Sequence, residues 1–432
     1  MKELINNYKY QKIKDRYFLT TDHGSYCILS EGEFTDLKKR NINQELKEKL
    51  EKKQIILNDN NLNETIKMMR RKYNFLFSGT SLHTVIVTSN KDNMDKETSK
   101  KIVDFIFQTP SKEITIEFKG NDPLLNWEVV KYIIGYANGK NIEAKKNLRI
   151  KIITTLNGID EEKMNYLIDK DVFICTFLDG PDELHNYNRK FLSGNNHKEV
   201  VKWIKLFNNG YKKKNSNNKV EALITLTKKS LEYSKEIIDE YVKLGLNIIN
   251  LKFLNKIEIS EKVWPLINYS EDEFIDFWKN SINYIEELKK QGKDINDVIA
   301  STISNKINGN FDSNNLEFTS PYSGAIGQLV YDYNGNIYPS DEARIIGEEL
   351  FLLGNVDKDI YKEILTSDKV CTILNASIID QFAYDSHAFK PYYGVNPILN
   401  YISYGNTIGN ISQSNIFNEQ FNWIINEKFI NQ

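Results

Sequence analysis

Continuous apolar runs alternate with amphipathic stretches through the middle of the chain, from about residue 82 to residue 253. The run HTVIVT at 83–88 is typical of a parallel strand that is buried on both faces. The next stretch, at 95–107, places Ile102, Phe105 and Ile106 on one helical face. Continued along the chain, this alternation predicts strands at 83–88, 114–118, 150–154, 173–178, 220–225 and 248–253.

The spacing of these strands decides the fold class. Successive strands lie roughly 30 residues apart with a helical stretch between them, as in right-handed βαβ units. Six such strands predict an α/β protein with a partial (β/α)6 TIM-like barrel. A doubly wound open sheet is the alternative architecture.

Both ends of the chain have a different pattern. Short apolar runs surround the turn Asp22-His23-Gly24, and Ser30 and Glu33 form a capping box ahead of a helix. Residues 1–75 are therefore predicted to form a small winged-helix-like module, followed by the barrel at 76–300. Residues 301–432 are irregular and aromatic-rich, with a hairpin at Asn334-Gly335, and are predicted to form a C-terminal domain.

Charge and hydropathy exclude some classes of protein. The 57 Lys and Arg residues nearly balance the 59 Asp and Glu residues, for a net charge of −2, which argues against nucleic-acid binding by bulk charge. The chain lacks a continuous apolar stretch long enough to span a membrane, and its first residues lack an apolar signal segment. We therefore expect a cytoplasmic protein with neither nucleic acid nor membrane as a partner.

Cysteine and histidine are sparse and scattered. No CxxC spacing occurs among the three cysteines, Cys27, Cys175 and Cys371, and the five histidines form no HExxH motif. This pattern disfavours a disulfide scaffold, a zinc site and an iron–sulfur cluster. Each cysteine lies in an apolar run, so we expect all three to be buried and unreactive, and no metal to be bound.

Several strings together resemble one family. Leu178-Asp179-Gly180-Pro181, followed by His185 and Arg189, resembles the DGPxxxHxxxR segment of radical SAM enzymes with a SPASM domain. The strand end at 116–125 is similar to their GGEP turn, and 331–344 and 389–397 are similar to their C-terminal domain. The resemblance covers about residues 18 to 423 and is strongest to the His-Xaa-Ser system radical SAM peptide maturases. It implies a SPASM-like C-terminal domain.

The departures from the family bear on its chemistry. Such enzymes carry CxxxCxxC after the first barrel strand, whereas this chain has Asn90-Lys91-Asp92-Asn93 there. At the family's C-terminal cysteines it has Tyr384, His387 and Tyr393, and aromatic packing is expected to replace the cluster. In place of GGEP it has Gly120-Asn121-Asp122-Pro123. The resemblance therefore implies a degenerate maturase that binds no iron–sulfur cluster.

The candidate binding residues lie in these same sequence segments, and none of them is predicted to be catalytic. Each ligand-binding candidate has a structural alternative: a strand-to-helix turn at 120–123 and 154–157, and a capped turn at 179–189. In the C-terminal domain an internal ion pair is the favoured interpretation. The candidate ligand-binding residues are Gly120, Asn121, Asp122, Thr155, Asn157, Asp179, His185 and Arg189, and the candidate C-terminal domain contacts are Asp341, Glu342 and Arg344.

Three functional hypotheses follow. The first is a pseudoenzyme that binds a peptide, added as a strand to the N-terminal module, or a catalytic radical SAM partner protein. The second is a cluster-independent enzyme or sensor that binds S-adenosylmethionine or a nucleotide at the barrel mouth. The third is a structural subunit whose barrel mouth is filled by residues around Asn90, Asn121 and Phe177.

Overall fold

The fold was obtained as a computed structural model. It describes residues 4–88, 92–192, 194–257, 259–309, 318–379, 386–408 and 414–431. The chain divides into two compact units. The terminal unit comprises Met1–Phe77, Ala300–Ser323 and Cys371–Gln432, and the sheet unit comprises Ser78–Ile299 and Gly324–Val370.

The strands of the described residues form one large sheet and three small ones. The first five strands in the chain lie in the terminal unit, and the remaining strands lie in the sheet unit. They are β1 (Leu4–Ile5), β2 (Tyr8–Ile13), β3 (Arg16–Thr21), β4 (Tyr26–Ser30), β5 (Ile56–Leu57), β6 (Leu82–Thr88), β7 (Glu113–Gly120), β8 (Asn147–Ile153), β9 (Phe173–Phe177), β10 (Glu221–Leu223), β11 (Ile248–Ile249), β12 (Asn296–Asp297), β13 (Gln328–Tyr331), β14 (Asn336–Tyr338) and β15 (Gly354–Asn355).

Many helices begin at a polar residue whose side chain accepts a backbone hydrogen bond, as Asp95 and Asn196 do. Among the described helices, none is both long and apolar enough to cross a lipid bilayer. They are α1 (Glu31–Lys39), α2 (Gln44–Lys52), α3 (Leu62–Tyr73), α4 (Phe75–Ser78), α5 (Lys96–Ile106), α6 (Trp127–Ala144), α7 (Glu161–Asp169), α8 (Asp182–Asn188), α9 (His197–Lys213), α10 (Ser234–Lys243), α11 (Trp264–Ile267), α12 (Glu271–Lys290), α13 (Val298–Ile307), α14 (Asp341–Ile346), α15 (Tyr361–Leu365), α16 (Asp368–Ile379), α17 (Pro397–Tyr404) and α18 (Ser414–Ile425).

The sheet unit is built on an eight-stranded sheet with the order β10-β9-β8-β7-β6-β13-β14-β15. Pairing is parallel from β10 to β13, and antiparallel through β14 and β15. On β7, Ile114, Ile116 and Phe118 are fully buried, while the residues between them face a less buried side. The α/β fold predicted from the periodicity is confirmed.

The prediction of a sixth sheet strand at 248–253 is wrong. Only Ile248–Ile249 of the predicted 248–253 is a strand, and it pairs in parallel with β12 rather than with the large sheet. The Asp297 carboxylate accepts a hydrogen bond from the Leu251 backbone N–H at 3.1 Å, so a side chain takes the donor that a longer strand would use. On the other side of β6, the large sheet is extended instead by β13 from the C-terminal part of the chain.

The terminal unit contains the antiparallel sheet β2-β3-β4. One face packs on α1 and α2 through a core that includes Leu19, Leu29 and Leu37. The predicted capping box is confirmed, because the Ser30 N–H donates to the Glu33 carboxylate at 2.7 Å and the Ser30 hydroxyl accepts from the Glu33 N–H at 3.3 Å.

Aromatic residues near the C-terminus share this unit with the N-terminal sheet. The ring of Phe18 lies 6.0 Å from that of Phe389, and the Thr20 hydroxyl donates to the Ala388 backbone oxygen at 2.6 Å. Segment 1–75 thus lies in one compact unit with the C-terminal residues, and segment 301–432 is divided between the two units. The separate roles assigned to 1–75, 76–300 and 301–432 stay predictions.

Candidate functional site

The carboxyl ends of β6 to β10 meet at one edge of the large sheet, because these strands run parallel. This edge is where α/β proteins place their ligands. The ligand-binding candidates follow β7, β8 and β9, and the structure brings them together in two clusters. The turn cluster contains Gly120, Asp122 and Thr155, and the ion-pair cluster contains Asp179, His185 and Arg189.

Gly120, the last residue of β7, packs closely against the Thr88 backbone at the end of β6. Its φ of +127° belongs to the region that favours glycine, and a Cβ built on it would lie 2.3 Å from the Thr88 backbone oxygen. Glycine is therefore required here for packing between two strand ends. This geometry supports the strand-to-helix turn as the role of residues 120–123.

The Asp122 carboxylate is buried and accepts hydrogen bonds at both oxygens. Oδ1 accepts from the Thr154 hydroxyl at 2.8 Å and from the Leu124 N–H at 3.0 Å. Oδ2 accepts from the Thr155 N–H at 3.0 Å and from the Thr155 hydroxyl. The three bonds from Thr154 and Thr155 join the end of β7 to the end of β8, and the bond from Leu124 lies within the turn after β7. Asn121 and Asn157 beside them are exposed.

Replacing Asp122 with asparagine is expected to lower the free energy of unfolding by about 1–3 kcal/mol, because the amide NH2 would face donors where an oxygen now accepts. Urea unfolding followed by circular dichroism measures the change. Asp169→Asn, at a carboxylate that is 68% exposed, is the matched control and should have no effect above error. Equal stability of the two variants would contradict a structural role for Asp122.

Asp179 forms a buried ion pair with Arg189. The carboxylate is fully buried, and its Oδ1 lies 2.5 Å from Nη2 of Arg189 and accepts from the Thr225 N–H at 2.9 Å. The guanidinium carbon of Arg189 lies 5.1 Å from the centre of the Phe177 ring. The ion pair therefore joins the end of β9, the helix α8 and the segment after β10.

His185 is a neutral hydrogen-bonding bridge in this cluster. Its Nδ1 accepts from the Asp179 backbone N–H at 3.1 Å, so Nε2 carries the proton and donates to the Asn195 backbone oxygen at 2.9 Å. Burial is the main cause that lowers the pKa of His185, and it outweighs the Asp179 carboxylate, which lies 3.7 Å from Nδ1. Both ring nitrogens of His185 are thus engaged in hydrogen bonds to the backbone of this segment.

Asn195 connects the two clusters and was missed by the sequence analysis. Its backbone oxygen accepts from His185, and its side-chain amide donates to the Thr155 backbone oxygen at 3.2 Å. It lies in a polar loop before α9, where nothing in the local pattern distinguishes it from its neighbours. The connection depends on the tertiary fold alone.

Two of the three candidate residues of the C-terminal segment, Asp341 and Arg344, form the predicted internal ion pair. The Arg344 Nε donates to Asp341 Oδ1 at 2.8 Å, and Lys119 Nζ lies 3.4 Å from Asp341 Oδ2. Burial would raise the pKa of Asp341, but the charges of Lys119 and Arg344 outweigh it and the net shift is downward. Glu342 lies beside Asp341 in the first turn of α14.

The sequence analysis also missed a row of charges on the less buried side of the sheet. Lys151 on β8 lies 3.4 Å from the carboxylate of Glu117 on β7 and 3.3 Å from that of Glu221 on β10. These side chains are 13–35% exposed, so this side of the sheet borders solvent. The sequence feature that could have revealed this row is the charged residue within each otherwise apolar strand. The row, Glu117–Lys151–Glu221, is here called the polar face.

The three cysteines lack the CxxxCxxC spacing with which radical SAM enzymes bind a four-iron cluster. Cys175 lies inside β9 in the sheet unit, where burial raises its pKa to about 12, and Cys27 lies in the terminal unit, where burial raises its pKa to about 11. Cys371 is exposed, so the prediction that all three cysteines are buried is wrong for this one. A four-iron cluster needs several thiolates at one place, and the two buried thiols, Cys27 and Cys175, belong to different units of the fold.

Two segments of this chain match the positions at which the family carries its cluster cysteines. After β6, Asn93 pairs with Thr88 in an isolated bridge, while Asn90 and Lys91 lie outside the described residues. In the C-terminal segment, burial lowers the pKa of His387 to about 4, and the Tyr393 hydroxyl donates to the Asn418 side chain at 2.6 Å. Tyr384 lies outside the described residues. Within the described parts of the chain, no group of three His, Cys, Asp or Glu side chains is arranged for a metal ion.

Comparison with curated proteins places the chain among distant relatives, and no family model matches it. It is 25% identical over 207 residues to the uncharacterized protein MJ0907 of Methanocaldococcus jannaschii, covering 48% of this chain and 68% of that protein. It is 24% identical over 186 residues to the radical SAM cyclopropyl synthase TigE of Paramaledivibacter caminithermalis, covering 41% of this chain. That match spans 37% of TigE.

Solved structures match over more of the chain. The structure of anSMEcpe with bound AdoMet and the Cp18Cys peptide has a TM-score of 0.67 and 16% identity, and covers 82% of this chain and 99% of that one. The complex with AdoMet alone has a TM-score of 0.64 and 16% identity, over 81% and 98% of the two chains. The chain therefore has the fold of these radical SAM/SPASM-type structures and is similar in sequence to part of one radical SAM enzyme.

Proposed function

We propose that this protein is a non-catalytic relative of radical SAM/SPASM maturases that binds a peptide or a partner protein in a peptide-modification system, without an iron–sulfur cluster. The observation that carries the proposal is the placement of the thiols. Cys27 and Cys175 are buried in different units, and Cys371 lies on α16, far along the chain from β6. The His-Xaa-Ser system is the peptide-modification system that the sequence resemblance favours.

The known proteins support the peptide-binding half of the proposal. The anSMEcpe structures that share this fold hold the Cp18Cys or the Kp18Cys peptide together with AdoMet. A fold that has lost its cluster ligands can keep such a binding surface, because peptide contacts do not depend on thiolates. The polar face Glu117–Lys151–Glu221 supplies charges of both signs for a polar ligand.

The terminal unit offers a second surface for a peptide. β2 is an edge strand of its sheet, and an edge strand is where a peptide can be added as a further strand. Tyr10 on β2 is 43% exposed, with the Lys38 ammonium 4.4 Å from its ring centre and the Phe34 ring 4.7 Å away. An extended peptide beside β2 would contact this aromatic and basic surface.

The first experiment tests the absence of a cluster. Protein purified without oxygen and then reconstituted with iron and sulfide should contain less than about a tenth of the iron that a four-iron cluster requires. S-adenosylmethionine should not be cleaved when a reductant is added. An active maturase prepared in parallel is the positive control. Stoichiometric iron and sulfide in this protein would overturn the proposal.

The second experiment tests peptide binding by fluorescence anisotropy, with labelled precursor peptides encoded beside the protein. Tyr10→Ser should weaken binding by about tenfold, the usual loss at an aromatic anchor. Tyr404→Ser is the matched control, because Tyr404 is 51% exposed elsewhere in the same unit and should leave the affinity unchanged. Equal affinities for both variants would exclude β2 as the peptide site.

A second candidate function is binding of S-adenosylmethionine or a nucleotide without cluster chemistry. The polar face favours it, because a sheet side lined with charges suits a polar ligand better than apolar packing does. Stabilisation against heat by S-adenosylmethionine at about 1 mM, but not by peptide, would select this function. The structural-subunit hypothesis predicts no stabilisation by either ligand.

A further inference from the structure

Four aromatic rings lie together where the N-terminal sheet packs on α1. The rings of Tyr17, on β3, and Phe34, on α1, are stacked with their centres 3.9 Å apart. Tyr10, on the edge strand β2, has its ring centre 4.7 Å from that of Phe34 and 6.2 Å from that of Tyr17. Tyr8 shares this face of β2 with Tyr10, because side chains two residues apart on a strand point to the same side. We call these four residues the aromatic patch.

One ammonium group lies over three rings of the aromatic patch. Lys38 Nζ, from the last turn of α1, is 4.4 Å from the centre of the Tyr10 ring. It is 5.5 Å from the ring centre of Tyr8 and 5.4 Å from that of Phe34, within the range of cation–π attraction. The C-terminal end of a helix favours any cation, yet Lys39 in the same turn lies over no ring of the described residues. The rings therefore hold one particular charge beside the edge strand.

This charge has no carboxylate partner among the residues that the structure describes. Lys12, on the same face of β2, shows the contrast: its Nζ lies 5.3 Å from the Tyr17 ring centre and also donates to the Glu31 carboxylate at 2.7 Å. Lys38 is exposed, so the side of its ammonium that faces away from the rings is accessible to a ligand. Because an ammonium has three donors, a ligand carboxylate can accept from it while the rings stay in place.

We propose that the peptide bound along β2 carries a carboxylate side chain two positions from an apolar one, with the carboxylate on Lys38 and the apolar side chain on the Tyr10 ring. This specificity rests on the proposed peptide site at β2. In a strand added beside β2, every second side chain faces the aromatic patch, so side chains two positions apart reach it together. Tyr8 and Tyr10 are such a pair on β2 itself, and Lys38 Nζ lies within 5.5 Å of both ring centres. A basic side chain at the carboxylate position would be repelled by Lys38.

Peptide selection on the full-length protein tests this specificity. Random peptides displayed on phage are selected for binding to the wild type, to Lys38→Met and to Lys39→Met. With the wild type, Asp or Glu two positions from an apolar residue should be enriched over the starting library. The same enrichment is expected with Lys39→Met, the matched control at the neighbouring exposed lysine. It should disappear with Lys38→Met, which keeps an unbranched apolar side chain but not the charge.

Fluorescence anisotropy with one selected peptide measures the charge pair directly. Replacing the acidic residue of the peptide with its neutral amide should weaken binding to the wild type about fivefold, the upper range for an exposed ion pair. The same replacement should hardly change binding to Lys38→Met, and Lys38→Arg should keep the preference for the acidic peptide. Added sodium chloride should weaken binding to the wild type more than binding to Lys38→Met, because salt screens the charge pair.

The outcomes separate this specificity from the peptide site itself. Selected peptides that Tyr10→Ser weakens but that lack the acidic residue, or that bind Lys38→Met as well as the wild type, would overturn the carboxylate preference and leave the peptide site standing. A selection that yields no peptide with the wild type, or only peptides insensitive to Tyr10→Ser, would overturn the peptide site on β2 and the carboxylate preference with it.

Discussion

Replacing Arg189 with methionine is expected to lower the free energy of unfolding by about 3–5 kcal/mol, the usual cost of leaving one partner of a buried ion pair without the other. The Asp179 carboxylate is fully buried, and Arg189 is the cation that lies 2.5 Å from it. Without that cation, the remaining backbone donor, Thr225 N–H, cannot compensate for the lost solvation of the charge. Urea unfolding monitored by circular dichroism measures the loss.

Two controls separate the ion pair from general effects of the substitution. Arg149→Met, at an exposed position on β8, should change stability by less than about 0.5 kcal/mol. The double variant Asp179→Asn with Arg189→Met should recover part of the loss, because the uncompensated charge is then gone. If Arg189→Met were as stable as Arg149→Met, the ion pair would not hold the turn, and ligand binding would become its better explanation.

Replacing Phe421 with alanine is expected to cost about 3–5 kcal/mol of stability in the terminal unit, since it removes a large buried ring and leaves a cavity. Phe421 is fully buried on α18, with its ring centre 4.9 Å from that of Phe389 and 5.3 Å from that of Tyr393. This packing occupies the C-terminal segment in which the family places cluster cysteines. Thermal unfolding should show a transition at lower temperature for the variant.

An exposed phenylalanine of the same unit provides the matched control for this variant. Phe77 is 82% exposed, so Phe77→Ala should leave the transition nearly unchanged. If aromatic burial stabilises the segment without a bound metal, a chelator such as EDTA should not shift the wild-type transition. A chelator-sensitive transition, or equal stability of the two variants, would contradict this explanation.

The sequence by itself determined the features that depend on neighbouring residues. The hairpin predicted at Asn334-Gly335 joins β13 to β14, with the Asp332 N–H donating to the Asn336 backbone oxygen at 2.9 Å. The apolar run at 83–88 became the central strand β6, and Asp95 begins α5 as its N-cap. Periodicity, capping and turn residues act within a few positions of the chain, so they can be recognised without the fold.

Only the tertiary structure decided which distant residues meet. Asn195 joins His185 to Thr155, Lys9 and Lys72 converge on Asp22, and Lys151 lies between Glu117 and Glu221. The same holds for the pairing of β13 with β6, between segments more than 200 residues apart. Such contacts are selected by the burial and charge balance of the whole fold, and no local pattern specifies the partner that lies across it.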